Sequence, residues 1–172
     1  MSFKKFKFFL VLSLLIPSLG FSEAKQTDQA KDFVKKFYEV YLKQKGDLLT
    51  ASLRNQKSSL SPELYALLRE DVQANQKAKG EIVGLDFDPF LAGNDPGDIY
   101  KTNQIQTKPQ SWWVQVLGFY KGQNTPCCEA WVEVVSEKGN LQISNIHYPE
   151  WGSIPENENL KSMLKSLAKE RP

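Results

Sequence analysis

Trp112-Trp113-Val114-Gln115-Val116-Leu117-Gly118-Phe119-Tyr120 is the stretch on which the fold turns. Successive side chains of a strand point to opposite faces. Here Trp112, Val114, Val116 and Tyr120 form one set, and Trp113, Gln115, Leu117 and Phe119 the other. Both sets are largely apolar, which fits a central strand covered on both sides. Working outward, Gln104-Ile105-Gln106-Thr107 is a short strand turned by Lys108-Pro109-Gln110. Beyond Gly122 to Pro126, Ala130, Val132 and Val134 alternate with Glu129, Trp131 and Glu133. Lys138-Gly139-Asn140 is a hairpin turn. After it, Leu141, Ile143, Asn145 and His147 share one face, and Gln142, Ser144, Ile146 and Tyr148 the other. This is an antiparallel meander of about four strands.

Helices flank the meander. Ala30, Phe33, Val34, Phe37, Tyr38, Tyr41 and Leu42 fall at helical spacing and make one apolar stripe, with Thr27 as cap and Gly46 as stop. Residues 47–59 have room for another helical turn. Ser61 is a cap, Pro62 suits the first helical position, and Leu60 with Tyr65 forms a hydrophobic staple. Leu64, Leu67, Leu68 and Val72 are its buried face, and Gly80 its C-cap. Leu160, Met163, Leu164, Leu167 and Ala168 predict a closing helix over 157–170, capped by Asn157 or Asn159. The fold class is α+β, with N-terminal helices packed on one face of a curved antiparallel sheet and a C-terminal helix.

The first 24 residues read differently. Lys4, Lys5 and Lys7 precede an uncharged run from Phe8 to Ile16, broken by Pro17 and Gly20, and Ser22-Glu23-Ala24 offers small residues for cleavage. The run is short of the roughly 20 residues a spanning helix needs. The expectation is a signal peptide over 1–24, cleaved after Ala24 or, second, near Gly20. A single domain then covers 25–172, with a core over about 28–149, and it lies in the periplasm or outside the cell with no stable membrane anchor. Three of the 22 basic and one of the 20 acidic residues lie in the signal segment, leaving 19 of each. A neutral domain has no electrostatic footprint for nucleic acid. No cofactor-binding motif occurs, and no cofactor is expected.

Candidate chemistry is concentrated in four places. Within the loop 84–99, residues 85–98 hold two prolines, two glycines and the aspartates Asp86, Asp88, Asp95 and Asp98; Phe87, Phe90 and Leu91 anchor this loop. Its acids fail the spacing of a standard calcium loop, because Phe90 and Leu91 fall where an oxygen ligand and a glycine are needed. A non-standard site using Asp86, Asp88, Asn94, Asp95 and Asp98 stands against turn chemistry, in which the same side chains accept backbone N–H bonds. His147 is the only histidine. With Asp88 or Asp86 it could form an acid–base pair; otherwise it holds the loop to the sheet. Trp112 and Trp131 are candidates for a partner surface, with Trp131 on the more exposed face, or for core packing. Cys127 and Cys128 are adjacent, and a disulfide between them would distort the peptide; the alternatives are two thiols or a vicinal bridge.

Several stretches resemble a known bacterial family: Phe33-Val34-Lys35-Lys36-Phe37-Tyr38 with Tyr41-Leu42, Leu60-Ser61-Pro62-Glu63-Leu64, Gly84-Leu85-Asp86-Phe87-Asp88-Pro89-Phe90-Leu91 with Asn94-Asp95, and Asn145-Ile146-His147-Tyr148-Pro149. Together, over roughly residues 30–149, they are similar to the family catalogued as domain of unknown function 3828. That resemblance implies export and a fold like nuclear transport factor 2 and the cystatin-like proteins, with a cone-shaped pocket. It implies no activity. The expected function is a non-catalytic binding protein that meets a small ligand or an envelope protein through the concave sheet and the 84–99 loop. Its binding residues would be Asp86, Asp88, Phe90, Asn94, Asp95, Trp112, Trp131 and His147. The alternatives are a small hydrolase or isomerase using His147 with Asp88 or Asp86, and a secreted inhibitor or immunity-type protein.

Overall fold

Ser61, Pro62 and Glu63 begin a helix as their chemistry requires. The Ser61 hydroxyl accepts the Leu64 N–H, Pro62 has no N–H to leave unpaired, and Glu63 carries negative charge at the positive end of the helix. In the computed structural model, which describes residues 19–78, 83–92, 96–149 and 159–171, this helix runs Pro62–Lys77. We label the helices α1 (Leu19–Tyr41), α2 (Leu48–Asn55), α3 (Pro62–Lys77) and α4 (Leu160–Glu170). The strands are β1 (Ile99–Thr107), β2 (Trp112–Phe119), β3 (Cys128–Glu137) and β4 (Asn140–His147). The signal-peptide residues before Leu19, the proposed cap Gly80, the loop residues Asn94 and Asp95, and Trp151 and Asn157 lie outside the described residues.

The α+β architecture is as read. Four antiparallel strands form one open sheet in the order β1-β2-β3-β4, and β2 is central. One apolar core joins helices and sheet: Ala30, Val34, Phe37, Tyr38 and Tyr41 of α1 and Leu64 and Leu68 of α3 meet Val114, Val116, Val132, Val134, Ile143 and Ile146. Leu160 and Leu164 of α4 complete it. Asn159 caps α4 through reciprocal bonds with Ser162. Among the described residues no helix is long and apolar enough to cross a membrane.

Three boundaries differ from expectation. α1 already includes Gly20 and passes through Thr27, because Ala24, Lys25 and Gln26 are good helix formers and supply no stop. It ends at Tyr41, and Gly46 (φ 77°) instead turns the chain into Asp47, whose carboxylate caps α2 through the Thr50 N–H. β1 starts at Ile99, five residues before the expected Gln104, because a bulge at Asn103–Gln104 hides its alternation. The Gln115 side-chain carbonyl fills that bulge, accepting from the Asn103 amide and the Gln104 N–H.

The largest difference is in β4. Glu133 pairs with Asn145, but Val134 pairs with Ile143, so Ser144 is an extra residue. A one-residue slip exchanges the faces of everything beyond it. Leu141 and Ile143 face the helices as expected. Past Ser144, Ile146 and Tyr148 turn to the core, and Asn145 and His147 move to the outer face of the sheet.

Candidate functional site

An aspartate, an asparagine and a glycine bring the 84–99 loop onto α3. Asp71 accepts the Leu85 N–H, and Asn75 both accepts from the Val83 N–H and donates to the Leu85 carbonyl. Gly84 makes this close approach practicable: a β-carbon there would stand 2.4 Å from the Asp71 carboxylate. Asp71 is buried, and Arg171, beyond the end of α4, donates to its free side and to the Val83 carbonyl. Burial raises the Asp71 pKa, opposed by the Leu85 N–H and the Arg171 charge.

Further along, Asp88 closes the loop on itself and on α1. One carboxylate oxygen accepts the N–H groups of Phe90 and Leu91, and the other takes the Tyr41 hydroxyl at 2.6 Å. This is the turn chemistry weighed against calcium binding. Asp98 likewise accepts a backbone N–H, from Lys121. Among the described residues no three of His, Cys, Asp and Glu gather as metal ligands. Phe90 is fully buried between Phe37 and Tyr41, with ring centroids 5.0 Å from each. Its carbonyl accepts the Tyr38 hydroxyl, and the Pro89 carbonyl accepts the Tyr148 hydroxyl. The loop is thereby fixed at its start and its middle.

Between this loop, α2 and α3 lies a groove of about 590 Å³. Asp47, Asp71, Asp86 and Asp88 line it together with Leu49, Val72, Leu85 and Phe87, and among the described residues no lysine or arginine does. A second recess, of about 580 Å³, lies toward α4 and shares Leu85, Asp86 and Phe87 with the first. Its additional lining includes Met163, Leu167 and Glu170, again without a basic residue among the described residues. Asp86 is exposed, stands at the rim of both, and pairs with no cation among the described residues. By contrast, the inner face of the sheet is filled by core side chains. What opens between helix and sheet is a recess of about 320 Å³ beside β1, lined by Lys35, Tyr38, Leu42, Tyr100 and Val116 among others.

His147 belongs to neither recess. The Ser144 bulge sends it to the outer face, where its ring stacks on Trp113 with centroids 3.9 Å apart. Its Nε2 lies 3.1 Å from Glu133 Oε2, and it is 3 % exposed. It makes no hydrogen bond or ion pair with Asp86 or Asp88; the expected acid–base partnership gives way to Glu133, because the slip turns the ring away from the loop. Trp131 also lies on the outer face, as read, but it is 5 % exposed and not a surface aromatic. Its indole N–H donates to Glu129, which also accepts from Gln115. Trp112 packs at the margin of the core.

Burial opposes ionisation of Glu133, but the hydrogen bond and charge of His147 outweigh it and lower the pKa. A lowered carboxyl pKa contributes stability above the unfolded value of about 4.3, lost as pH falls through the folded value. Glu133→Gln is therefore expected to flatten the acid limb of stability against pH below about 4.3, while costing about 1–3 kcal/mol at neutral pH. Urea unfolding at several pH values measures both; an acid limb as steep as that of the parent protein would contradict the pairing.

Sequence reasoning missed Asp71, Asn75, Arg171 and Glu133. The first two read as the polar side of a helix, Arg171 lies 100 positions from its partner, and Glu133 was paired with His147 only by the bulge. No family model matches the chain, and no curated protein or solved structure is significantly similar to it.

Proposed function

We propose that this protein is a non-catalytic binding domain whose groove between α2, α3 and the 84–99 loop takes a cationic, partly apolar segment of a peptide or protein partner. The observation that carries the reading is the groove's lining: carboxylates above an apolar floor, of which only Asp71 has a basic partner, Arg171, among the described residues. A lysine or arginine matches it with its charged head and aliphatic stem. Arg171 illustrates the mode from within the chain, its guanidinium reaching Asp71 along the loop's first residues. The groove's volume is in the range typical of ligand sites. The sealed setting of His147 weighs against the enzyme reading. A loop clamped by Asp88 and Phe90 weighs against one that inserts into an enzyme as an inhibitor.

Export to the periplasm or beyond, signalled by the first 24 residues, is part of this proposal, and so is kinship with the family of the 3828 domain and its cone-shaped relatives. The partner would then be an envelope or extracellular protein.

Calorimetric titration with a short peptide of alternating lysine and leucine tests the groove. Binding is expected to weaken as salt rises. Asp86→Asn combined with Asp47→Asn is expected to weaken it about tenfold, two partly screened charges being worth together about 1.4 kcal/mol. Asparagine keeps the Asp47 cap, so α2 persists. Equal affinity for a glutamate–leucine peptide, or an unchanged affinity in the double variant, would overturn the proposal.

A further inference from the structure

Cys127 and Cys128 stand where β3 begins, and their sulfurs are 3.7 Å apart. In a regular strand two neighbouring side chains point to opposite faces. Cys127 precedes the first residue of β3 and sits in a bend, so its sulfur can swing toward that of Cys128. Both residues are partly exposed and line a recess of about 470 Å³ with Ala92, Pro126, Glu129 and Tyr148. Space is cleared for them: a β-carbon on Gly118 would lie 2.4 Å from the Cys128 sulfur.

The Cys128 thiol also has a defined partner. The Tyr100 hydroxyl donates its one hydrogen to the Leu91 carbonyl and accepts from the Gly97 N–H and the Cys128 thiol. Leu91 and Gly97 lie on the two arms of the 84–99 loop. Tyr100 thus ties the base of the loop together, and Cys128 supplies one of its donors.

We propose that Cys127 and Cys128 form a thiol–disulfide exchange site whose state is read by the 84–99 loop through Tyr100. The co-reactant is a small or protein disulfide. One thiolate attacks a sulfur of that disulfide, forms a mixed disulfide and expels a thiolate. The second cysteine's thiolate then attacks the mixed disulfide, closes the Cys127–Cys128 bond and expels the other. Two electrons pass to the oxidant, which leaves as two thiols, and two protons leave the protein. Closing the bond removes the Cys128 hydrogen that Tyr100 accepts. The closed ring is readily reopened: consecutive Cα atoms are about 3.8 Å apart, below the usual range of about 4.4–6.8 Å for disulfide partners. Strained, exposed disulfides are the labile ones.

The test equilibrates the native full-length protein with oxidised and reduced glutathione, traps remaining thiols by alkylation, and reads mass. Oxidised protein is expected to lose two hydrogens and carry no glutathione. Cys127→Ser and Cys128→Ser are each expected to stop at a mixed disulfide with one glutathione. Native protein that keeps two alkylatable thiols, or that ends with glutathione attached, would overturn the exchange site. For the loop, the Gly97 amide is expected to exchange hydrogen severalfold faster in the oxidised protein. Tyr100→Phe, which has no hydroxyl to lose a donor, is expected to show the same Gly97 rate in both states. Equal Gly97 protection in both states of the native protein would overturn the coupling.

Discussion

Phe90→Ala is expected to lower stability by about 3–5 kcal/mol, the cost typical of removing a buried ring. The side chain is fully buried, and the rings of Phe37 and Tyr41 hold it on two sides. Its removal empties the contact between loop and α1 and leaves the space lined by aromatic side chains that cannot readily collapse. For a chain of this size the melting temperature is expected to fall by about 10 °C or more. The same change loosens the wall of the groove at Asp88, so affinity for a basic peptide is expected to fall although Phe90 does not line the groove. Thermal melting and calorimetry on one sample read both effects. A loss below about 1 kcal/mol would mean that the loop is not anchored as described.

The second large effect is alkaline. Burial, reinforced by the nearby Asp88 charge, pushes the Tyr38 and Tyr41 hydroxyls well above the ordinary tyrosine value; the hydrogen bond from Tyr41 to Asp88 raises Tyr41 further. Tyr100 and Tyr148 are pushed the same way, mainly by burial. For an acid whose folded pKa is raised, the folded state holds its proton where the unfolded state releases it. Stability is then complete below the unfolded value of about 10 and falls as pH rises beyond it. Each such tyrosine removes about 1.4 kcal/mol per pH unit, so Tyr38 and Tyr41 together remove about 2.7. The phenolate absorbance of the buried tyrosines is expected to appear together with loss of the folded circular dichroism. Tyr38→Phe is expected to halve the slope due to this pair. Phenolate formation by these groups in a protein that keeps its folded spectrum would contradict their burial.

Much of the fold can be read from periodicity. The stripe from Ala30 to Tyr41, the cap at Ser61 and the strands around Val114 and Val132 follow from local chemistry that the tertiary structure reinforces. The slip at Ser144 does not follow from strict alternation. One sign of it exists: Leu141, Ile143 and Ile146 are apolar at spacings of two and then three, and only an inserted residue keeps all three on one face. Missing that sign misplaces His147 and, with it, the acid–base pair. The burial of Trp131 is not visible in alternation, which places it on one face with Glu129 and Glu133. The groove is the least legible part. Asp86 and Asp88 were visible as loop acids, but α2 and α3, which complete the lining with Asp47, Asp71 and Leu49, approach the loop only in the folded chain.

The central claim is that recognition happens at the acidic groove and not on the outer face of the sheet. Mapping amide chemical-shift changes during titration with the lysine–leucine peptide tests it most directly. Changes are expected at Asp47–Thr50, Asp71–Gln76 and Leu85–Asp88, with Trp113, Trp131 and His147 unmoved. Changes centred on Trp113, Trp131 and His147, or none at Leu85–Asp88, would contradict it.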